Sequence, residues 1–577
     1  MADSAADLGA ESGAVPTVGD SSDTNTQEAG IDEPDLVETD GDFVYAIDTT
    51  GAQGERLVIL RGDDATVVSR LELGTFGNRM LLAGDRILVV SSGYGGLMEE
   101  VDIAPPLPPR ESTEMPPVDG GATGEPGGEP TVIDPPDDLP APEPTPEPAP
   151  EPEPTPEPGP TPEPEPLPVP VDPIPVDPPP FVAGMTMQLI DVADRTDPSV
   201  IERTDLDGEH VTTRVVDGVA RVVMRSTPSF GPAIPDGEDG VDGVDDIDQA
   251  AAFLPAFQTV RAASPAPIGG AAVACADVLF PAVPAGLGET SILRVDLDDG
   301  FDPSATTTVV ADADAVYASA DTLYLAATSY AADADGAADI APPLGEPSTV
   351  IHAFDLRDDR AASHQAVGTV PGSLVNQYAL SQYDGHLRVA TTTGDPFFGD
   401  AAVDVAVDVP LDDEPVPLPP ETPVPPNAPR PSESAVHVLF PDGDRLVEVG
   451  VVGGLGITER IQSVRFLGPT GYVVTFRQTD PLYVIDLSTP TAPRVLGELK
   501  IPGYSSHLQP IAGDRLIGIG RSADETGSDT GFGISLFDVS DPAAPAQLQA
   551  YVDPDGSSPA AFDPLGILWW EDTDTLA

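Results

Sequence analysis

The chain has 577 residues carrying 98 Asp and Glu against 25 Lys and Arg, a formal net charge of −73. That balance excludes nucleic acid as a partner, because neutralising phosphates needs a basic face. With 40% hydrophobic residues and a mean hydropathy of −0.07 there is material for a large core, yet no window supplies the roughly 20 apolar residues of a membrane-spanning helix.

The N-terminus, Met1-Ala-Asp-Ser-Ala-Ala-Asp-Leu, is acidic where a signal peptide would be positive, and it lacks an apolar stretch. Residues 1–23 are expected to be a disordered acidic tether, and residues 24–577 one β domain. Asp40-Gly41 opens a β-rich run to Tyr45, followed by the apolar run Leu57 to Leu60; Gly84-Asp85 opens another to Val89. Residues 101–182 are dominated by Pro, Glu and Asp, as in Glu143-Pro-Thr-Pro-Glu147, a composition that adopts polyproline II and buries nothing. Further insertions are expected at 228–249 and 394–431, the latter with Pro415-Val-Pro417-Leu-Pro419-Pro420. Asp248 reads as the cap of a short helix over Ala250 to Leu254. Cys275, the single cysteine, lies in the apolar run Ala271 to Phe280 and is expected to be buried.

The strand signals repeat. Leu536-Phe-Asp538-Val-Ser-Asp541-Pro542 restates Val484-Ile-Asp486-Leu-Ser-Thr489-Pro490, with the aspartates 52 residues apart. Degenerate copies are Leu189 to Val192, Arg294 to Leu297 and Ala353 to Leu356, while Leu57 to Leu60 and Val436 to Leu439 keep the strand without the Asp. Each apolar strand runs into an Asx or Pro turn, where Asp accepts backbone N–H groups and Pro presets φ. A second signal, a turn with Asp or Gly and then a β run, precedes each copy: Asp40-Gly41, Gly84-Asp85, Asp217-Gly218, Asp321, Asp384-Gly385, Gly471 and Gly513-Asp514. Units of about 46 to 59 β residues predict an all-β fold, a β-propeller of seven or eight four-stranded blades with long Pro/Asp-rich loops. Trp569-Trp570 and Asp574-Thr-Leu576 read as a further unit cut short, so the C-terminus is expected to be incomplete.

The strings Thr24-Asn25-Thr-Gln27, Gly30-Ile-Asp32-Glu33-Pro-Asp35-Leu-Val-Glu-Thr-Asp40-Gly41, Phe476-Arg477-Gln478-Thr-Asp480-Pro481, Leu499-Lys500-Ile-Pro502-Gly503-Tyr504 and Gly518-Ile-Gly520-Arg521 with Asp524-Glu525-Thr526-Gly527 resemble a family of secreted prokaryotic proteins. Its members have a C-terminal β-propeller domain distantly related to WD40 repeats. The resemblance implies a leader peptide upstream, further propeller sequence downstream, and no known reaction. It also implies a His-Lys pair after a Tyr/Phe-Asp step, where this chain has Phe562-Asp563-Pro564-Leu565.

Little in the sequence points to catalysis. His210, His352, His364, His386, His437 and His507 show no metal-ligand spacing, and there is no nucleophile elbow, Walker loop or CxxCH. Asp32, Glu33 and Asp35 read as a polar segment entering the first blade, with acid–base work as the alternative. Arg477, Arg521 and Lys500 are expected in ion pairs with neighbouring carboxylates such as Asp480, Asp524 and Glu525, with anion binding as the alternative. Tyr472, Tyr483 and Phe537 read as core packing. Asp333, Asp335 and Asp339, and the run Asp236 to Asp245, set carboxylates around glycines as a Ca²⁺ loop does, although neither is an EF-hand and a solvated acidic loop gives the same pattern. No other cofactor is expected. The expected function is a noncatalytic, secreted or cell-envelope binding or scaffold module, monomeric, with a protein or glycan ligand; cytoplasmic location is the alternative. The alternative function is a hydrolase or lyase acting on glycans through channel carboxylates, and a redox propeller using quinone or heme is a third.

Overall fold

Chain reversals in this protein are set by Asp and Gly, and the strands fall into groups of four between them. The computed structural model describes residues 27–28, 31–50, 54–92, 184–216, 218–228, 253–330, 346–357, 360–394, 431–476, 480–524, 528–554, 556–561, 566–567, 569–570 and 575–576. All belong to one unit, Met1–Gly96 with Pro180–Ala577; the other unit, Leu97–Pro179, lies outside them.

The first set is β1 (Val37–Thr39), β2 (Phe43–Asp48), β3 (Arg56–Arg61) and β4 (Val67–Glu72), antiparallel in that order. The second is β5 (Asn78–Ala83), β6 (Arg86–Ser91), β7 (Met185–Asp191) and β8 (Ser199–Leu206). The third begins with β9 (Glu209–Val216) and β10 (Val219–Ser226). The chain then adds the hairpin β11 (Ala256–Arg261) and β12 (Ser264–Ala271) to the edge of β8, and forms the short β13 (Val278–Leu279). It returns to the third set as β14 (Glu289–Asp296), β15 (Gly300–Phe301) and β16 (Thr307–Val310). The fourth set is β17 (Ala313–Ala318), β18 (Thr322–Ser329), β19 (Ser348–Asp355) and β20 (Ser363–Pro371), and the fifth is β21 (Leu380–Tyr383), β22 (His386–Thr393), β23 (Glu433–Asp442) and β24 (Arg445–Leu455). A single parallel pair, Val367 with Arg445, joins these two sheets. The sixth is β25 (Arg460–Leu467), β26 (Thr470–Phe476), β27 (Asp480–Asp486) and β28 (Arg494–Ile501); then come β29 (Tyr504–Ile511), β30 (Arg515–Ala523), β31 (Asp529–Asp538) and β32 (Ala546–Asp553). Last, β33 (Trp569–Trp570) pairs with β34 (Thr575–Leu576).

The two repeated signals occupy fixed places. The apolar-Asp signal is always a third strand: β3, β7, β14, β19, β23, β27 or β31. The turn signal lies at the start of each second strand, and at Asp384-Gly385 both residues have positive φ (48° and 72°), the two-residue hairpin turn that suits strand twist. The signals also meet in space. Asp191, Asp296, Asp355, Asp486 and Asp538 each accept the N–H two residues on at 2.9–3.0 Å. The residue after each of these aspartates donates its N–H to the second-strand turn: Val192 to Asp85 O (3.0 Å), Leu297 to Gly218 O (3.2 Å), Leu356 to Asp321 O (2.9 Å), Leu487 to Pro469 O (2.8 Å) and Val539 to Asp514 O (2.9 Å).

From the second set to the sixth, second and third strands are largely buried on both faces, so they read as continuous apolar runs rather than alternating ones. Ile87, Val89 and Ile190 pack with Tyr45, Leu57 and Ile59 of the first set, while Leu88, Val90 and Leu189 pack with Val222, Leu293 and Val295 of the third. The same division recurs in β26 and β27, where Val473 and Ile485 face one core and Val474 and Val484 the next. Each such side chain contributes about 1.5–3 kcal/mol when fully buried. Phe537 and Tyr472 are core residues as expected, whereas Tyr483 is half-buried and its hydroxyl accepts the Gly456 N–H at 3.1 Å.

Cys275 is exposed, contrary to expectation. After β12 the chain leaves the sheet as a 3₁₀ turn, Cys275–Asp277, and Ala272 and Val273 take the buried positions of that run. The insertions at 101–182, 228–249 and 394–431 lie outside the described residues except at their limits 228, 394 and 431, as do the N-terminal tether, the helix expected over Ala250 to Leu254 except Phe253 and Leu254, and Phe562 to Leu565.

Candidate functional site

First strands differ from the strands behind them in what they bury. Glu38 on β1, Asn78 on β5, Thr213 and Arg214 on β9, Ser463 and Arg465 on β25, and Ser505 and His507 on β29 are all buried polar groups. First strands touch one another, β1 with β5, β9 with β17 and β25 with β29, so these groups converge.

Into this centre run Gln27, Glu28 and the stretch Ile31 to Leu36. Asp32 exchanges backbone hydrogen bonds with Val215 of β9 (3.2 and 3.1 Å), and Asp35 does so with Met80 of β5 (2.9 and 2.8 Å). Gln27 donates Nε2 to the carbonyls of Gln377 (3.2 Å) and Leu380 (2.8 Å). Glu28 accepts the Tyr317 hydroxyl at 2.7 Å and the Ser381 hydroxyl at 3.4 Å. Glu33 pairs with Arg214 at 3.2 Å, both side chains almost wholly buried (4% and 3% exposed), and Gln377 bridges the two. A buried ion pair of this kind persists only with good geometry and additional hydrogen bonds. The segment therefore contacts the second, third, fourth and fifth sets, a wider reach than the entry to a first blade expected of Asp32, Glu33 and Asp35.

Charge in this region is displaced from its usual balance. Burial, with the charges of Asp32 and Asp35, pushes the Glu38 carboxyl up to about 9, and its Oε1 has no hydrogen-bond partner. Burial holds the Arg388 guanidinium down at about 10; Arg388 donates to Ser381 Oγ (2.6 Å) and to the Gly468 carbonyl, and stacks on Tyr383 and Phe466. His507 is held down at about 4 by burial and by Arg465. Burial and Glu33 push Tyr378 up to about 12.

Beside the segment is a cavity of about 360 Å³. Its walls are Val211 and Thr212 of β9, Asp314 to Val316 of β17, Val375 to Tyr378 before β21, Ser506 and His507 of β29, and Ala560-Ala561. Tyr378 and His507 meet edge to face, their centroids 5.4 Å apart. A second cavity of about 200 Å³ lies on the β29–β32 sheet among Tyr504, Gly518, Arg521 and Tyr551.

The other singled-out residues are dispersed. Arg521 pairs with Asp529 at 2.7 Å and Lys500 with Glu498 at 3.6 Å, neighbouring carboxylates though not the examples Asp480, Asp524 and Glu525. Arg477, Asp333, Asp335, Asp339 and the run Asp236 to Asp245 lie outside the described residues. Among the described residues no three His, Cys, Asp or Glu side chains form a metal-binding group, and no helix is long and apolar enough to cross a membrane. His352 and His364 are not isolated: they sit diagonally across β19 and β20 with ring nitrogens 3.3 Å apart. Sequence spacing missed Arg214, Tyr378 and Arg465. A buried arginine inside a β run of an acidic chain was the available signal.

The model of the Beta propeller domain family matches residues 21–577. An uncharacterised protein of Methanocaldococcus jannaschii is 39% identical over 204 residues, 35% of this chain and 27% of that protein. An uncharacterised protein of Archaeoglobus fulgidus is 37% identical over 188 residues, 33% of this chain and 23% of that protein. The match thus spans about a quarter of the length of these curated relatives. Among solved structures, the Pyrococcus horikoshii acylaminoacyl peptidase aligns with a TM-score of 0.29 at 8% identity, over 90% of this chain and 52% of that one.

Proposed function

This chain belongs to the Beta propeller domain family, and from that premise we propose that it is a noncatalytic binding or scaffold module working outside the cytoplasm. The observation that carries this reading is the occupied centre. Gln27, Glu28 and Ile31 to Asp35 engage polar groups of the centre and leave beside them a cavity whose walls mix apolar surface with Thr212, Asn376, Gln377 and Tyr378. Convergent polar groups in a concave, strand-held site suit recognition of a ligand. A carboxylate-dominated surface and the resemblance carried by Thr24 to Gly41 support a secreted or envelope location.

The test uses immobilised full-length chain and its Val375→Arg variant, which fills the cavity mouth at a position already 40% exposed. Envelope proteins and glycans retained by the wild type and lost by the variant support the reading. Equal retention by both removes the cavity from it, and turnover of a retained glycan removes the noncatalytic part. Fractionation of producing cells checks location, and a purely cytoplasmic pool would count against it. A second reading, a hydrolase or lyase acting on glycans, draws on Glu38, a carboxyl raised to about 9 beside Asp32 and Asp35. These residues lie outside the cavity walls. Turnover abolished by Glu38→Gln would favour it.

A further inference from the structure

Three of the strings that carry the family resemblance meet on the seventh set. Ile501, Pro502 and Tyr504, together with Gly518 and Arg521 of β30, line the 200 Å³ cavity, and Phe476 at the end of β26 packs on the Tyr504 ring with centroids 4.8 Å apart. Side-chain size makes the space. On the opposite face of β30 and β31 stand Ile517, Ile519, Ile534 and Leu536, whereas the cavity face has Gly518, Gly533 and Ser535, which leave unfilled volume in an otherwise close-packed region. The two cavities share no lining residue, so this site is separate from the centre.

Its walls offer hydrogen-bonding groups of both kinds. Arg521 is held by Asp529 through Nε (3.0 Å) and Nη2 (2.7 Å), so its charge is matched and Nη1 is left to donate. Gln547 donates Nε2 to Ser535 Oγ at 2.9 Å, which leaves the Ser535 proton as a donor and Gln547 Oε1 as an acceptor. Among the described residues no carboxylate lines the cavity. Beside these groups Tyr551 is 58% exposed, on a strand whose residues Ala546 to Val552 carry no charge.

We propose that this cavity binds one sugar residue of a neutral glycan, with Tyr504 and Tyr551 against its C–H face and Arg521, Ser535 and Gln547 taking its hydroxyls. Adjacent hydroxyls need donors and acceptors side by side, and the ring that carries them presents an apolar face that aromatic side chains cover. A uronic acid suits the site less, because the guanidinium is already paired and the chain's net charge of −73 repels it. The volume holds a single residue, so further residues of the glycan lie outside it.

The experiment titrates the full-length chain by calorimetry at pH 7 with cellotriose, mannotriose, trigalacturonate and the open-chain polyol glucitol. Wild type is compared with Tyr551→Ala, Arg521→Gln, Val375→Arg and, as an exposed aromatic elsewhere, Tyr330→Ala. Saturable binding of at least one neutral trisaccharide is expected, about tenfold or more tighter than trigalacturonate and glucitol. Tyr551→Ala and Arg521→Gln each weaken it about tenfold or more, while Val375→Arg and Tyr330→Ala leave it unchanged. Tighter binding of trigalacturonate overturns the neutral ligand, and equal binding of glucitol overturns the stacked ring. Binding lost in Val375→Arg but kept in Tyr551→Ala puts the glycan in the central cavity, which overturns this second site while supporting the first reading. No saturable binding of either neutral trisaccharide overturns the inference outright. Tyr551 is exposed, so Tyr551→Ala tests the site without emptying a core; should Arg521→Gln fail to fold, Gln547→Ala takes its place with the same expected loss.

Discussion

The second and third strands of each set and the first strands of the same sets meet opposite requirements. The former lie between two cores and hold apolar side chains on both faces, as Ile87 and Leu88 do on β6. The latter bury Glu38, Arg214, Arg465 and His507, polar groups whose surroundings differ from one strand to the next. One region is stabilised by a repeated rule, the other by contacts made once. Substitutions in the first should therefore report size, and substitutions in the second should report pairing.

The largest loss is expected in the repeated region. Phe537 on β31 is fully buried among Val484, Leu508 and Leu516, and Phe537→Ala should cost about 3–5 kcal/mol through lost transfer energy and the cavity left behind. Chemical denaturation measures it; a cost under about 1 kcal/mol would mean that the sheets collapse around the gap. Next comes Glu33→Ala, which strands Arg214 without its carboxylate and should cost about 3 kcal/mol. The double variant Glu33→Ala with Arg214→Ala should cost less than the sum of the two single changes, since coupling is confined to groups in contact. Strict additivity would show that the pair does not hold the N-terminal segment in place.

Legibility in the sequence follows the same line. The two signals that mark β6 and β7, or β30 and β31, recur because the same hydrogen bonds recur, so a period exposes both the strand and its neighbour. Gly468 rather than Gly471 makes the sixth turn; Gly471 lies within β26, where a Cβ would come 3.1 Å from the Phe466 ring. The centre is different. Glu33 and Arg214 are far apart in the chain, and nothing local to either residue announces the other. Asp32, Glu33 and Asp35 were conspicuous as an acidic string, but their reach across four sets depends on where the first strands converge. Arg465 sits in an ordinary β run, Arg460–Leu467, and only burial distinguishes it from the surface arginines.

A smaller effect, and one of opposite sign, belongs to Glu38. Its folded carboxyl is raised to about 9 from an ordinary 4.5, so the folded state binds the extra proton between those values and stability falls as pH rises through them. Glu38→Gln should remove that slope and stabilise the protein at pH 8 by on the order of 1–2 kcal/mol. His210, His352 and His507, each held down at about 4 from 6.5, act the other way: the unfolded state takes up the protons first, and stability rises from pH 4 to 6.5. Urea midpoints across pH 4–9 should peak near pH 6 in the wild type and stay level to pH 8 in Glu38→Gln. An unchanged alkaline limb in the variant would assign that slope elsewhere.

The smallest expected effect asks why an aspartate closes so many third strands. Asp486 serves both a turn and an ion pair, accepting the Ser488 N–H at 3.0 Å and its hydroxyl at 2.5 Å, and pairing with Arg494 at 2.9 Å. The arginine side chain is 70% exposed, and ion pairs of that exposure are worth a few tenths of a kcal/mol because water and side-chain entropy offset the attraction. The turn bond is different in kind: it satisfies a backbone N–H where the chain leaves the sheet, and it fixes Leu487, whose own N–H reaches Pro469 O at 2.8 Å. Loss of such a local acceptor costs about 1 kcal/mol. Asp486→Ala should therefore destabilise by about 1 kcal/mol, and Arg494→Ala by about 0.3 kcal/mol. In 0.5 M salt the Asp486→Ala cost should persist while the Arg494→Ala cost vanishes. Equal costs that salt abolishes together would show that the aspartate serves the ion pair, and the repeat would then mark surface charge rather than turn geometry.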